Sequence, residues 1–384
     1  MNRKRITILG STGSIGRQAL SVVEKFPDRF EVVGLSAGKN LNALKAQIDK
    51  FKPKMVSVWS ETDAAHLKKF VHGSTEVSFG QSGLDGLAAS PKTDLVLVAL
   101  VGSAGLSPLM QAINAGKVIA LANKEPMVMA GKIITRVAKK RGAKLIPVDS
   151  EHSAIFQLLD GKPRGQLRKV ILSASGGPFL RKKTSELGTV SAGDALRHPT
   201  WKMGKKISVD SATLMNKALE IIEAKWLFNL DSEQIDVIIH PQSIVHSMVE
   251  MRDGAVFAHM SVPDMRIPIA FALFWPERPI LGFQPLDLAK ISVLKFERPD
   301  LKQFPSLRLG FQALASGGTL AAVMNGSNET AVAAFLSGRI RFNMIVRIVE
   351  KVMREHENTE PENLAQVLKA DAWARARAQE LIDE

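Results

Sequence analysis

A chain of 384 residues with 45% apolar and 23% charged side chains has the composition of a folded protein with two or three domains, which excludes disordered and fibrous classes. The absence of cysteine removes thiol nucleophiles, disulfides, thiolate zinc sites and iron–sulfur clusters together. With 51 basic against 38 acidic residues the net charge is +13, and because the basic residues are scattered rather than clustered, phosphorylated small molecules are expected as partners rather than nucleic acid.

The start, MNRKRITILGSTG, has only a short apolar run before glycine, unlike a secretory leader. IPIAFALFW, at 267–275, is far below the roughly 20 residues that span a bilayer. A cytoplasmic protein with no membrane partner is therefore expected. From residue 4 the chain repeats a short β-branched run, a loop and an amphipathic stretch: RITILG, SIGRQALSVVEKF, FEVVGLSAG, LNALKAQIDKF, MVSVW, then DLVLVAL and KVIALAN. Apolar runs buried on both faces and alternating with helices predict an α/β fold, a Rossmann-like, doubly wound parallel sheet over residues 1–149. Ligands of such sheets bind at the carboxyl ends of the strands, where GSTGSIG, VGSAG, LANKE and VDSEH fall.

Gly10, Gly13 and Gly16 lie between the first strand and the first helix, where backbone N–H groups can reach a pyrophosphate. The second strand ends in GLSAGKN, with Ser36, Gly38, Lys39 and Asn40 and no acid for a ribose 2′-hydroxyl, which favours the 2′-phosphate of NADP. Asn123, Lys124 and Glu125 end a later strand, and two readings stand there: contact with substrate or the nicotinamide ribose, or an ordinary capped turn. Asp149, Ser150, Glu151 and His152 raise the same choice between a helix cap and a site. If the strand runs on through Glu151, Asp149 and Glu151 point to one side and offer two oxygens to a hard divalent cation.

After residue 150 the texture changes to a central α+β domain, expected over 150–275. ILSASGGPF brings Ser173, Ser175, Gly176 and Gly177, a candidate anion nest. LRHPTWKMGKK, with Arg197, His198, Trp201, Met203 and Gly204, reads either as a basic loop or as part of a lid over a phosphorylated ligand, spanning about 176–206. SATLMNKALEIIEAKWLF reads as a helix. Asn216, Lys217 and Glu220 share one face, Met215, Leu219, Ile222 and Trp226 form the apolar stripe, and Ser211 and Thr213 precede them. Glu220 is a third oxygen donor. SIVHSMVEMRDGAVFAHM predicts two strands joined at Asp253-Gly254. A linker over 276–300 and a C-terminal helical domain over 301–384 complete the expected organisation.

GSTGSIG, AGKN, LANKE, PVDSEHSAIFQ, SGGPF, RHPTWKMGKKISVDSATLMNKALE, HPQSIVHSMV and PDMRIPIA occur in one order and spacing along the chain. In these motifs the sequence resembles the 1-deoxy-D-xylulose 5-phosphate reductoisomerase family. The resemblance implies an NADPH- and divalent-metal-dependent rearrangement and reduction of that sugar phosphate to 2-C-methyl-D-erythritol 4-phosphate, in the non-mevalonate route to isoprenoids. It implies that Asp149, Glu151 and Glu220 hold Mg²⁺ or Mn²⁺, and that Lys124 and Ser150 contact substrate oxygens. Ser175, Ser211, Asn216, Lys217 and His198 would grip the phosphate. Thr12, Gly13, Ser14, Ile15, Gly38, Lys39, Asn40, Asn123, Glu125 and Gly204 would hold NADPH. Trp201 and Met203 would belong to the lid, while His152 and His246 would orient neighbours. A homodimer formed through the middle domain is also implied. Ser173, Ala174 and Pro126 depart from the family's usual residues. The alternative is an NADP-dependent dehydrogenase of another phosphorylated sugar, without skeletal rearrangement.

Overall fold

Residues 3–71 and 75–384 are described, in a computed structural model. They form two compact units: residues up to 126 with 134–153 and 264–283, and residues 127–133 with 154–263 and 284–384.

The first unit is built on strands β1 (Lys4–Leu9), β2 (Phe30–Ser36), β3 (Met55–Val58), β4 (Glu76–Phe79), β5 (Leu95–Val98), β6 (Val118–Leu121) and β7 (Lys144–Pro147). They run parallel in the order β4-β3-β2-β1-β5-β6-β7. β-Branched and leucine side chains fill both faces: Ile6, Ile8, Val33, Leu35, Val56, Val96, Leu97, Ile119 and Leu121 are all removed from water. The order reverses between β1 and β5, so the loops that follow these two strands diverge and leave a crevice at their carboxyl ends. The doubly wound parallel sheet expected from the sequence is present.

The second unit carries a mixed sheet of β8 (Leu167–Ala174), β9 (Ile235–Ile239), β10 (Val245–Met251) and β11 (Val256–Met260), in the order β11-β10-β8-β9. β10 and β11 pair antiparallel across Asp253-Gly254, with Gly254 at φ +89°. Val245, Ser247, Val249 and Met251 are buried, as the alternation requires. The helices Ser306–Ser316, Leu320–Leu336, Phe342–Glu355 and Leu364–Asp383 follow. Their apolar side chains join those of the sheet and of the Met215–Phe228 helix in one core, from Val128 to Ala378.

Four local readings are corrected. β7 stops at Pro147 and a helix, Ser150–Leu159, begins at once, so Asp149 and Glu151 are not alternating strand residues. The stretch expected as one helix over 211–228 is two, Lys205–Ala212 and Met215–Phe228, because Leu214 turns into the left-handed region at φ 57°. The 176–206 stretch is not one loop: Phe179, Leu187, Val190 and Ala195 are buried and short helical turns occupy 184–189 and 192–195, so that 176–183 and 196–204 are its longer segments without helix or strand. The helix Arg266–Phe274, placed by the sequence in the central domain, folds with the first unit instead. Phe274 meets Phe26 and Phe30 edge to face, at 4.8 Å each, and this apolar contact decides the placement.

Candidate functional site

In the first unit, Gly13 stands at the cap position of the helix Ser14–Lys25 and brings no side-chain acceptor to its first N–H groups. The positive end of a helix is thus directed at the crevice edge. The loop is tightly wound. A Cβ on Gly16 would lie 2.3 Å from the Gly10 carbonyl oxygen and 2.5 Å from Ser11 Cα, so only glycine fits. Ser36 ties this turn to the end of β2: its Oγ accepts from the Gly10 N–H at 2.9 Å, and its carbonyl accepts from the Ser11 N–H at 2.8 Å. Beyond it Gly38, Lys39 and Asn40 are exposed, and Asn40 Oδ1 caps the helix Leu41–Phe51 by accepting from the Ala43 N–H. Thr12, Ser14 and Ile15 are half-buried around the exposed Gly13.

At the ends of β6 and β7 the structure gathers the charged residues. Asn123, Lys124 and Glu125 are buried. Asn123 Nδ2 donates to Glu125 Oε2 at 2.5 Å and to the Gly102 carbonyl at 3.2 Å. Lys124 Nζ is 2.8 Å from Asp149 Oδ2. Asp149 and Glu151 each offer a carboxylate oxygen within 4.8 Å of the other, and Ser150 Oγ donates to Glu151. Asp149 also accepts the Ser153 N–H on its carbonyl at 2.7 Å, so its position at the helix start is fixed by backbone as well as side chain. His152 is fully buried, with Nδ1 3.9 Å from Asp149 Oδ2. Both readings of this stretch therefore coexist: it starts a helix and it pairs two acids.

In the second unit, Gly176 and Gly177 take φ +83° and +68°, curling the chain after β8 so that the Gly177 N–H donates to Ser175 Oγ at 3.2 Å. Ser173, by contrast, turns its hydroxyl to the His246 carbonyl at 2.7 Å. His198 Nε2 lies 2.8 Å from Ser175 Oγ, and its Nδ1 accepts from the N–H groups of Thr200 and Trp201. Burial depresses the His198 pKa to about 4, so the ring is neutral at pH 7 and, with Nδ1 accepting, carries its proton on Nε2. His246 is lowered to about 4, first by burial and then by His259, and meets Ser261 Oγ at 2.7 Å. Trp201 lies 6.4 Å from the His246 ring; Met203 is half-buried and Gly204 exposed.

The helix Met215–Phe228 departs from an amphipathic one. Met215, Leu219 and Ile222 are buried as predicted, but so are Lys217 and Glu220 on the polar face. Glu220 accepts from Asn216 Nδ2 at 2.5 Å and from Lys217 Nζ. A carboxylate withdrawn from water this far is tolerable only with such partners. Ser211 is buried at the end of the preceding helix, and Thr213 Oγ1 accepts the Met215 N–H in the turn.

Residues 6–131 match the family profile described as 1-deoxy-D-xylulose 5-phosphate reductoisomerase; residues 145–228 and 260–377 match C-terminal domains of the same enzyme. The 1-deoxy-D-xylulose 5-phosphate reductoisomerase of Chlorobium limicola is 51% identical over 380 residues, 99% of this chain and 100% of that protein. The chain belongs to the 1-deoxy-D-xylulose 5-phosphate reductoisomerase family. The Geobacter metallireducens reductoisomerase is 50% identical over 99% of both chains. Among solved structures, the Zymomonas mobilis reductoisomerase in complex with NADPH superposes with a TM-score of 0.93 at 40% identity, covering all of both chains. A reductoisomerase in complex with NADPH, fosmidomycin and magnesium gives 0.94 at 39% identity, over 99% of this chain and 98% of that one.

For a reductoisomerase of this family the sequence reading missed the supports beneath the motifs. Gln47 receives the Ser11 hydroxyl at 2.7 Å, and Gly105 leaves room for Asn123, whose Oδ1 would lie 1.6 Å from a Cβ there. The glycine of VGSAG was the available signal for the second; a glutamine on a helix gives none.

Proposed function

We propose that the chain converts 1-deoxy-D-xylulose 5-phosphate to 2-C-methyl-D-erythritol 4-phosphate with NADPH and Mg²⁺ or Mn²⁺. Membership of the family makes it an NADP-dependent oxidoreductase. The observation that carries the reading is the Lys124–Asp149–Glu151 cluster, two acids and an ammonium at the carboxyl edge of a nucleotide-type sheet. Paired carboxylate oxygens suit a hard divalent ion, and the glycine loop with its open helix start suits a pyrophosphate. A dehydrogenase that only moves hydride has no need of the acids, and the relatives do not favour it.

In this proposal Asp149, Glu151 and Glu220 hold the cation. When bound, it supplies Lewis-acid stabilisation of negative charge developing on substrate oxygens. Lys124 donates to a substrate oxygen, and the Ser150 hydroxyl orients Glu151 and meets the substrate. Asn216 and Lys217 steady Glu220 and, with Ser175, Ser211 and the neutral Nε2–H of His198, hold the phosphate. Trp201 and Met203 cover the bound sugar and exclude water. Thr12, Gly13, Ser14, Ile15, Gly38, Lys39, Asn40, Asn123, Glu125 and Gly204 hold NADPH, Asn123 and Glu125 acting as one bonded pair. The proposed division of labour is nucleotide binding by 1–149, catalysis and dimerisation by 150–275, and a helical domain from 301.

The proposed assembly is a homodimer through the central sheet, where the edge strand β11 exposes Val256, Phe257 and Met260. Among the described residues no helix is long and apolar enough to cross a membrane. The proposed compartment is the cytoplasm.

The test is metal-stripped protein incubated with 1-deoxy-D-xylulose 5-phosphate and NADPH. Nicotinamide absorbance should stay constant until Mg²⁺ is added, then fall as 2-C-methyl-D-erythritol 4-phosphate forms. Oxidation without metal, or a product with the skeleton unchanged, would give the reaction to the simple dehydrogenase.

A further inference from the structure

Ser211 follows a carboxylate that is hidden from solvent. Asp210 is 1% exposed, although it sits in a helix of only eight residues, Lys205–Ala212. Two groups hold it. Asn328 Nδ2 donates to Asp210 Oδ1 at 2.8 Å from 118 residues away, and Lys206 Nζ, one turn earlier, lies 2.9 Å from Oδ2. Burying a charge costs stability even when it is paired, and an apolar side chain would fill the same space without that cost. What an apolar residue lacks is direction, since a hydrogen bond fixes an orientation that packing alone leaves loose.

Asn328 is itself set in a rigid base. It is fully buried in the helix Leu320–Leu336, whose Glu329 accepts from Arg375 Nη2 at 2.8 Å, while Arg375 Nε donates to Asp371 at 2.7 Å. Across the short helix, the turn carrying Ser175 presses on the same end. A Cβ on Gly177 would lie 2.5 Å from the Ser211 carbonyl oxygen and 3.1 Å from Ala212 Cα. Ser211 is therefore held between a glycine contact and a charged hydrogen bond.

We infer that Asp210 and Asn328 are positioning residues that fix the roll of the Lys205–Ala212 helix and so aim Ser211 at the substrate phosphate. The inference rests on the phosphate role proposed for Ser211. With the Cα atoms about 2.3 Å from a helix axis and a hydroxyl roughly 4 Å out, a roll of about 15° moves Oγ by about 1 Å. That displacement is enough to lose a hydrogen bond to a phosphate oxygen. Neither residue acts on the phosphate directly; both work through the helix backbone.

The experiment compares the full-length protein with three variants, Asn328→Ala, the reversed pair Asp210→Asn with Asn328→Asp, and Ser211→Ala. Four quantities are read: KM for 1-deoxy-D-xylulose 5-phosphate, the inhibition constant of inorganic phosphate, kcat, and NADPH affinity by fluorescence. Asn328→Ala should raise KM and the phosphate inhibition constant about tenfold, the scale of one charged hydrogen bond misplaced, with kcat and NADPH affinity within about threefold. The reversed pair rebuilds the bond with its polarity exchanged and should return KM to within about threefold of the parent; it also serves as the decisive variant if Asn328→Ala does not fold. An unchanged KM in Asn328→Ala, a loss confined to kcat, or a reversed pair with a KM still raised tenfold overturns the inference. Ser211→Ala separates the two levels. If it leaves phosphate inhibition intact, the phosphate role of Ser211 fails; if it abolishes inhibition while Asn328→Ala is silent, only the positioning fails.

Discussion

Lys124 Nζ lies 2.8 Å from Asp149 Oδ2, with side chains only 7% and 13% exposed. The pair is a product of sheet register: Leu121 on β6 stands opposite Pro147 on β7, and each strand delivers its charged residue two or three positions later. The ammonium offsets the cost of holding a carboxylate away from bulk water, and in the proposed function it donates to a substrate oxygen. Lys124→Met should lower turnover by about 100-fold or more, the scale of one lost electrostatic donor, while Mn²⁺ affinity read by electron paramagnetic resonance stays within about tenfold. Full turnover in that variant would exclude Lys124 from the chemistry.

Glu220→Gln keeps the shape and most of the hydrogen bonding but removes one buried negative charge. Turnover should fall by orders of magnitude, with NADPH affinity by fluorescence nearly unchanged. Because Lys217 is left buried opposite a neutral amide, thermal denaturation should also show a loss on the order of 3 kcal/mol. A fully active variant would show that Glu220 is not a metal ligand.

Lys39 is exposed beyond the end of β2, and in the proposed function it meets the ribose 2′-phosphate of NADPH. Lys39→Glu should weaken NADPH about tenfold or more and NADH little, because only NADPH carries the 2′-phosphate. Equal weakening of both in a titration would remove the argument for this lysine.

His198 and His246 both have pKa values lowered to about 4 from 6.5, chiefly by burial. The unfolded chain therefore binds more protons than the folded one between these values. The stability tied to the neutral rings is fully present above about pH 6.5 and is lost as the pH falls towards about 4. Urea midpoints taken across that window should decline, and His246→Gln should flatten the decline. Parallel curves for parent and variant would mean that the His246 ring titrates normally in the fold.

Some of this was legible along the chain because it is encoded over short distances. The alternation from RITILG to KVIALAN predicts a parallel sheet, since a strand with both faces covered must be apolar throughout. The glycines of GSTGSIG mark a turn that would clash with any side chain, as Gly16 does against Gly10 and Ser11. Glu220, Lys217 and Asn216 lie on one helical face by periodicity alone, and the structure brings them into contact. Whether that face meets solvent or a site was not legible, because periodicity records which residues lie together and not what packs over them.

The sequence by itself determined the first-unit sheet, the family and the residue types offered for catalysis, because strand alternation, glycine turns and motif spacing are local properties. Only the tertiary structure decided where β7 stops, that Leu214 breaks a helix, that Asp264–Phe283 returns to the first unit, and that Asn328 meets Asp210 across 118 residues. The last two of these depend on contacts between segments far apart in the chain, whose free energy is set by packing and desolvation in three dimensions and leaves no periodic trace in the order of residues.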